Sequence, residues 1–205
     1  MQTTSDTQID PKIERIARIL RLVAWISFWI ELGFAIASGI TLMFAITGRN
    51  FNRSLTSVPV PGLGGVNYSQ GTTQGIGIGI FWAVCGILAL LFSVYLAFRQ
   101  VRYAKRLRNS SPSVHPKKAE ILQLIRLGII VSLVGTLLNI LGGGATLGVL
   151  LAKAIAQPQG VAIYDPNRII RALDIFVALA NMNGITGNFA GIVAGLGLWH
   201  WLHKE

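Results

Sequence analysis

The sequence predicts an all-α polytopic membrane protein: a four-transmembrane-helix bundle with an amphipathic N-terminal helix. Three observations predict it. Four apolar runs, at about 22–47, 75–98, 127–152 and 175–199, each exceed the ~20 residues a helix needs to cross the hydrocarbon core. Glu31 is the only charged residue inside any of them. The basic residues between the runs are strongly unequal from one side to the other. With 52% hydrophobic and only 13% charged residues, four spans and their connections use nearly the whole chain. Residues 1–205 therefore read as a single four-span membrane domain, with no room for a soluble catalytic module.

The charge asymmetry sets the expected orientation. The N-terminal flank carries Lys12, Arg15, Arg18 and Arg21. The connection between spans two and three carries Arg99, Arg102, Lys105, Arg106, Arg108, Lys117, Lys118 and, at its edge, Arg126. Lys204 brings that side to 13 of the 18 basic residues, against five on the other: Arg49, Arg53, Lys153, Arg168 and Arg171. Positive residues stay on the side that is not translocated, so both termini and the middle loop are expected in the cytoplasm. The net charge of +10 is explained in this way, and no nucleic acid is expected as a partner, because no aromatic-interleaved basic groove accompanies it. The basic loop, with Arg102, Lys105, Arg106 and Arg108, is expected to face the lipid and bind the anionic leaflet.

The elements follow in order. A helix is expected from Asp10-Pro11, a cap followed by a first-turn proline. Ile9, Ile13, Ile16 and Leu20 recur at helical spacing, with Arg15 and Arg18 on another face. Residues 10–21 are either an interfacial amphipathic helix or a long basic start to span one. The polar Met1–Asp10 segment reads as neither a cleavable signal nor a transit peptide. Gly48–Gln74, rich in Gly, Pro, Ser and Asn, is expected as a far-side loop. Its Gly62-Leu63-Gly64-Gly65 lacks the Gly-Lys-Ser/Thr of a phosphate loop, and its sequons at Asn52 and Asn67 are read as chance. Arg99–Glu120, with Pro112 and Pro116, is expected as the basic middle loop. Gln157–Tyr164 is a short third connection, and Asp165-Pro166 a second capped helix start.

The helix faces carry the most information. Gly128, Ser132, Gly135, Asn139, Gly142 and Thr146 are spaced alternately by four and three and share one stripe of span three. Lipid gives helices no hydrophobic reason to meet, so they associate by close backbone contact and side-chain hydrogen bonds, which small residues and an occasional Asn provide. Span one has Ala24, Ser27, Glu31, Ser38 and Ala45; span two has Gly75, Gly79, Gly86, Ser93 and Ala97. Span four has two stripes: Asp174, Asn181 and Asn188, and the doubled G-x-x-x-G of Gly187, Gly191 and Gly195. Estimated depth matches Glu31 with Asn188 and Asn139 with Asn181, so these four are the expected polar pairs and ion-pathway candidates.

A carboxylate in the membrane is costly and by default a functional candidate. Glu31 is either a cation or proton site built with nearby Asn amides, or a neutral acid that ties helices together. Asp174 lies three residues after Arg171, and a local ion pair between them is expected. Asn183 points away from Asn181. His200 and His203 flank Trp201 near the cytoplasmic boundary. H-x-x-H supplies two ligands, too few for a metal site without a third, so interfacial anchoring is expected. His115 lies in the basic loop. Trp25, Trp29 and Trp82 read as ordinary membrane residues. Cys85, the single cysteine, can form no internal disulfide and reads as a small buried residue. No Ser-His-Asp, H-E-x-x-H, C-x-x-C or dinucleotide motif is present; the chain reads as a non-enzyme that takes no cofactor.

The basic amphipathic start, the long basic second connection, the Asp-Pro start before span four and the stretch Phe176-Val177-Ala178-Leu179-Ala180-Asn181-Met182-Asn183 resemble a family shared by cyanobacteria and chloroplasts. It is the four-span family of the inner-envelope translocon subunit Tic-twenty-one, also described as a chloroplast iron permease. The resemblance implies a transport-type membrane protein, a cation (iron) permease or a protein-translocon subunit, in a homo-oligomer or a larger membrane complex. The alternative is a non-enzymatic scaffold docking to larger complexes through its glycine-rich faces, Gly128, Gly135, Gly142, Gly187, Gly191 and Gly195. The absence of a transit peptide departs from the plant members and suits a cyanobacterial plasma or thylakoid membrane.

Overall fold

A computed structural model describes residues 11–55, 76–109, 116–155 and 172–204. Four helices account for nearly all of them: α1 (Pro11–Leu55), α2 (Ile76–Leu107), α3 (Lys118–Ile155) and α4 (Ala172–Lys204). All four are long and apolar enough to cross a membrane, and the chain is an all-α integral membrane protein with four candidate spans. The expectations about Asp10, Asn67, His115, Arg168, Arg171 and the Asp165-Pro166 start lie outside the described residues.

Pro11 takes the first helical position, where its missing N–H costs nothing. Glu14 sits in the first turn of α1 and pairs with Arg18 at 2.9 Å. The helix then runs unbroken through the expected boundary at residue 47 to Leu55, so the start of the expected far-side loop is helical, Asn52 included. One glycine, Gly48, costs only ~1 kcal/mol in a helix, and no proline intervenes before Pro59. The middle loop is also shorter than expected. α2 continues to Leu107 with Lys105 and Arg106 in its last turn, where cations complement the carbonyl end, and α3 starts at Lys118. Arg108 N and Asn109 N close that end on the carbonyls of Lys105 and Arg106 at 3.2 and 3.1 Å.

The packing has the polarity expected in lipid. On α3, Ser132, Asn139 and Thr146 are fully buried, while Leu133, Leu137, Ile140, Leu147 and Leu151 are exposed. Burying small and polar residues while leaving leucines outside is unfavourable in water, and it is what helix association in hydrocarbon requires.

The chain divides into two compact units, each built from segments of all four helices. The first contains Met1–Gly33, Ala89–Val134 and Gly187–Glu205. Its apolar core gathers Ala17 and Leu20 with Ala104, Leu107, Ile121, Ile125, Leu198 and Leu202, and Ile13, Ile16 and Ile19 pack against it. The N-terminal apolar face thus rests on protein. The second unit contains Phe34–Leu88 and Gly135–Thr186. Its smaller clusters join Leu42, Ala83 and Ala180, and Ala45 with Val177.

Candidate functional site

In the first unit the polar stripes of the helices converge on Glu31. The carboxylate is 1% exposed. Ser27, one turn earlier, donates from Oγ to Glu31 Oε1 at 2.6 Å. The second oxygen, Oε2, is buried without a hydrogen bond of good geometry from any described residue, and the Ser93 hydroxyl stands close to the carboxyl. Ser93 of α2 and Ser132 of α3 share a hydrogen bond of 2.9 Å, and both are buried. α4 contributes a glycine: a Cβ at Gly191 would fall 2.8 Å from both Glu31 Oε1 and Ser132 Oγ, closer than real Cβ atoms come. The absent side chain therefore makes the room that the carboxyl and the hydroxyl occupy. Beside them is a cavity of about 10 Å³, with Ser27, Glu31, Ser93 and Gln100 among its polar lining, large enough for one water. Asn188 is fully buried in the same unit.

Chemically this is one carboxylate and several hydroxyls around a water-sized space. Its donors are all hard oxygens, which suit Mg²⁺, Ca²⁺ or Mn²⁺ better than softer metals. Among the described residues no group of three His, Cys, Asp or Glu is placed to hold a metal.

The second unit holds the other two ion-pathway candidates. Asn139 is fully buried against Gly86 of α2 and Gly184 of α4, and a Cβ on either glycine would collide with its amide. Asn181 is fully buried against Gly142 of α3 in the same way. The two amides, expected as a facing pair, make their hydrogen bonds elsewhere. Asn139 Nδ2 donates to Gly135 O at 2.7 Å and Asn181 Nδ2 to Val177 O at 2.9 Å, each one turn back on its own helix. A short amide side chain always has its i−4 carbonyl within reach, and that local bond wins here. Their Oδ1 atoms are buried acceptors with no hydrogen bond among the described residues. Thr146 bonds back to Gly142 O at 2.8 Å, and Ser38 reaches across from α1 to Ala180 O of α4 at 2.7 Å.

Asp174 pairs with Lys153 of α3, both side chains 6% exposed. Arg171, the partner expected from sequence, lies outside the described residues, and Lys153 was not anticipated as a partner. The signal was present: Lys153 lies seven residues after Thr146, on the same stripe of α3. Gly184 was missed too, although it lies seven before Gly191. Gln100, 8% exposed, was hidden by reading Arg99 onward as loop, yet it follows Ser93 by seven.

Of the glycines singled out for packing, Gly135, Gly142, Gly187, Gly191 and Gly195 are buried and Gly128 is half-buried. Arg102, Lys105, Arg106 and Arg108 are exposed at the end of α2. Cys85 is half-buried. His203 Nδ1 lies 3.0 Å from Trp199 O, and its ring packs on the Trp199 ring at 4.7 Å.

A family model described as a protein of unknown function (DUF3611) matches residues 10–203. The chain is 31% identical over 200 residues to the protein named TIC 21, chloroplastic, of Arabidopsis thaliana, covering 93% of this chain. It spans 59% of that relative's length. No solved structure matches.

Proposed function

The chain belongs to the DUF3611 family, and from that premise we propose that it is a transport-type protein of the membrane in which a small cation passes by way of Glu31. The observation that carries this reading is the carboxylate itself: buried, bonded to Ser27 through one oxygen, with Ser93 close by and a polar, water-sized space beside it. An acceptor orphaned in hydrocarbon costs free energy, so Oε2 is a ready ligand for a water or a cation in that space. Asn188 supplies a further amide group in the same unit, and Asn139 and Asn181 are candidates within the second unit. We read residues 1–205 as one four-span domain, with both termini in the cytoplasm of a cyanobacterial plasma or thylakoid membrane. Iron is the cargo the family resemblance suggests; the oxygen-only donors favour a weak, transient site and a divalent cation of hard character. Glu31 lies inside the helices of its own unit, so assembly into a homo-oligomer does not bring several Glu31 carboxylates to one ion.

Proteoliposomes loaded with a metal-sensitive dye and offered Fe²⁺, Mn²⁺, Mg²⁺ and K⁺ in turn test the reading. The wild-type protein is expected to pass at least one of them. Glu31→Gln is expected to fall to the empty-vesicle rate while its thermal unfolding in detergent stays unchanged. Wild-type vesicles that pass none of the four, or a Gln variant that conducts normally, remove the proposal.

A specific observation favours the scaffold reading enough to keep it as a second. Gly144 and Gly148 of α3 form an exposed G-x-x-x-G with nothing within 4 Å of an added Cβ. The buried Gly135 and Gly191 are occupied within the chain, so a partner helix in a translocon or other complex would meet Gly144 and Gly148 instead. On that reading Gly144→Leu with Gly148→Leu abolishes partner co-purification from the native membrane, and Glu31→Gln leaves it intact.

A further inference from the structure

We infer that the groove between α1 and α2 in the first unit is a binding site for one anionic membrane lipid. This inference is independent of the role given to Glu31. The groove encloses about 690 Å³. Its polar end is built by Arg18 and Arg21 of α1, by Arg102 and Lys105 of α2, and by Arg108 in the turn that follows α2. Its other end is apolar, with Leu22, Trp25 and Phe98 on its walls. Along α1 the cations come first and the apolar residues follow; along α2 the order is reversed. Both helices therefore place charge at one end of the groove and hydrocarbon-like surface at the other.

Two further features point to a ligand. Arg18 is tied to Glu14 at 2.9 Å, but among the described residues no carboxylate pairs with Arg21, Arg102, Lys105 or Arg108. Four like charges gathered around one groove repel one another unless an anion joins them. Arg102 also carries its guanidinium 4.7 Å over the Phe98 ring, a cation–π contact that holds it against the wall of the groove. Arg106, by contrast, is directed to the Tyr103 ring at 5.8 Å and does not line the groove. Among the middle-loop residues, the site thus selects three and adds two from α1.

A free phosphate would satisfy the cations and leave the apolar wall unused. An anionic glycerolipid satisfies both: its headgroup meets the arginines and its acyl chains lie on Leu22, which is 59% exposed, and Trp25, which is 44% exposed. The chemistry is that of a juxtamembrane basic cluster, here folded into a defined cleft.

Native mass spectrometry of the detergent-purified full chain, titrated with phosphatidylglycerol, tests this. One phosphatidylglycerol is expected to remain bound where phosphatidylcholine does not, and excess glycerol phosphate is expected not to displace it. The variant Arg102→Gln, Lys105→Gln, Arg108→Gln is expected to lose more than about tenfold in retention. The equally charged control Arg99→Gln, Arg106→Gln, Lys118→Gln is expected to keep it. Brominated phosphatidylglycerol should also quench the fluorescence that disappears in Trp25→Phe, and brominated phosphatidylcholine should quench it less. Equal loss in the two triple variants, equal binding of the zwitterionic lipid, displacement by glycerol phosphate, or equal quenching by both lipids overturns the inference.

Discussion

Lys153→Met alone is expected to be among the most damaging single substitutions in the chain. It leaves Asp174 buried without the ammonium that now meets it, and both side chains are 6% exposed. Removing one partner of a buried ion pair costs about 3–5 kcal/mol, because the remaining charge loses its counter-ion while it stays out of water. Replacing both, Lys153→Met with Asp174→Leu, is expected to restore most of that loss, since an apolar pair of similar volume needs no desolvated charges. The measurement is thermal or denaturant unfolding of the two variants and of wild type in the same detergent. A single variant that loses only the ~0–1 kcal/mol typical of an exposed pair would mean that the pair is solvated. A double variant as unstable as the single one would mean that Lys153 and Asp174 act separately.

Gly142→Ala is the second substitution with a large expected effect. A Cβ at this position would collide with Asn181 Oδ1 and would lie 2.8 Å from Trp82 Cβ. The amide can rotate away, but the Trp82 Cβ is fixed to its backbone, so α2 or α3 has to shift. Overpacking of this kind costs about 1–3 kcal/mol. Gly144→Ala, two residues along the same helix, meets nothing within 4 Å. There the gain in helix propensity, up to ~1 kcal/mol, is unopposed, and the variant is expected to match or exceed wild type. Unfolding temperatures of the two alanine variants that prove equal would show that α3 does not approach its neighbours as closely as the glycine positions require.

These contrasts also show what the sequence made legible. The buried stripe of α3 could be read from Gly128 to Thr146 because small and polar residues recur at four-and-three spacing against a background of leucine. The interior position of Glu31 followed from the cost of exposing a carboxylate to hydrocarbon. The helix ends were less legible. The polar, glycine-containing stretch after residue 47 resembles a loop in composition, yet nothing in it stops α1 before Leu55. Lys153 was counted only as a far-side charge, and a count of charges by compartment discards the face of the helix on which each one lies. Arg171 drew attention because it is near Asp174 in sequence, and Lys153, a described partner, is 21 residues away. Asn139 and Asn181 were placed inside correctly, but their amides bond to their own helices, a local choice that stripe geometry does not report. The groove of Arg18, Arg21, Arg102, Lys105 and Arg108 could not be assembled from sequence, because its two halves lie on helices whose azimuth and separation only the packing sets.

Every site described here presupposes that the four helices cross the bilayer in alternation. Cysteine labelling measures this directly. In a Cys85→Ala background, Pro61→Cys and Lys105→Cys are to be probed with a membrane-impermeant maleimide on intact cells and again after permeabilisation. Pro61→Cys is expected to label from outside, and Lys105→Cys only once the membrane is opened. Labelling of both positions from the same side would contradict the alternating threading, and with it the enclosure of Glu31 and the placing of the basic groove at a single leaflet.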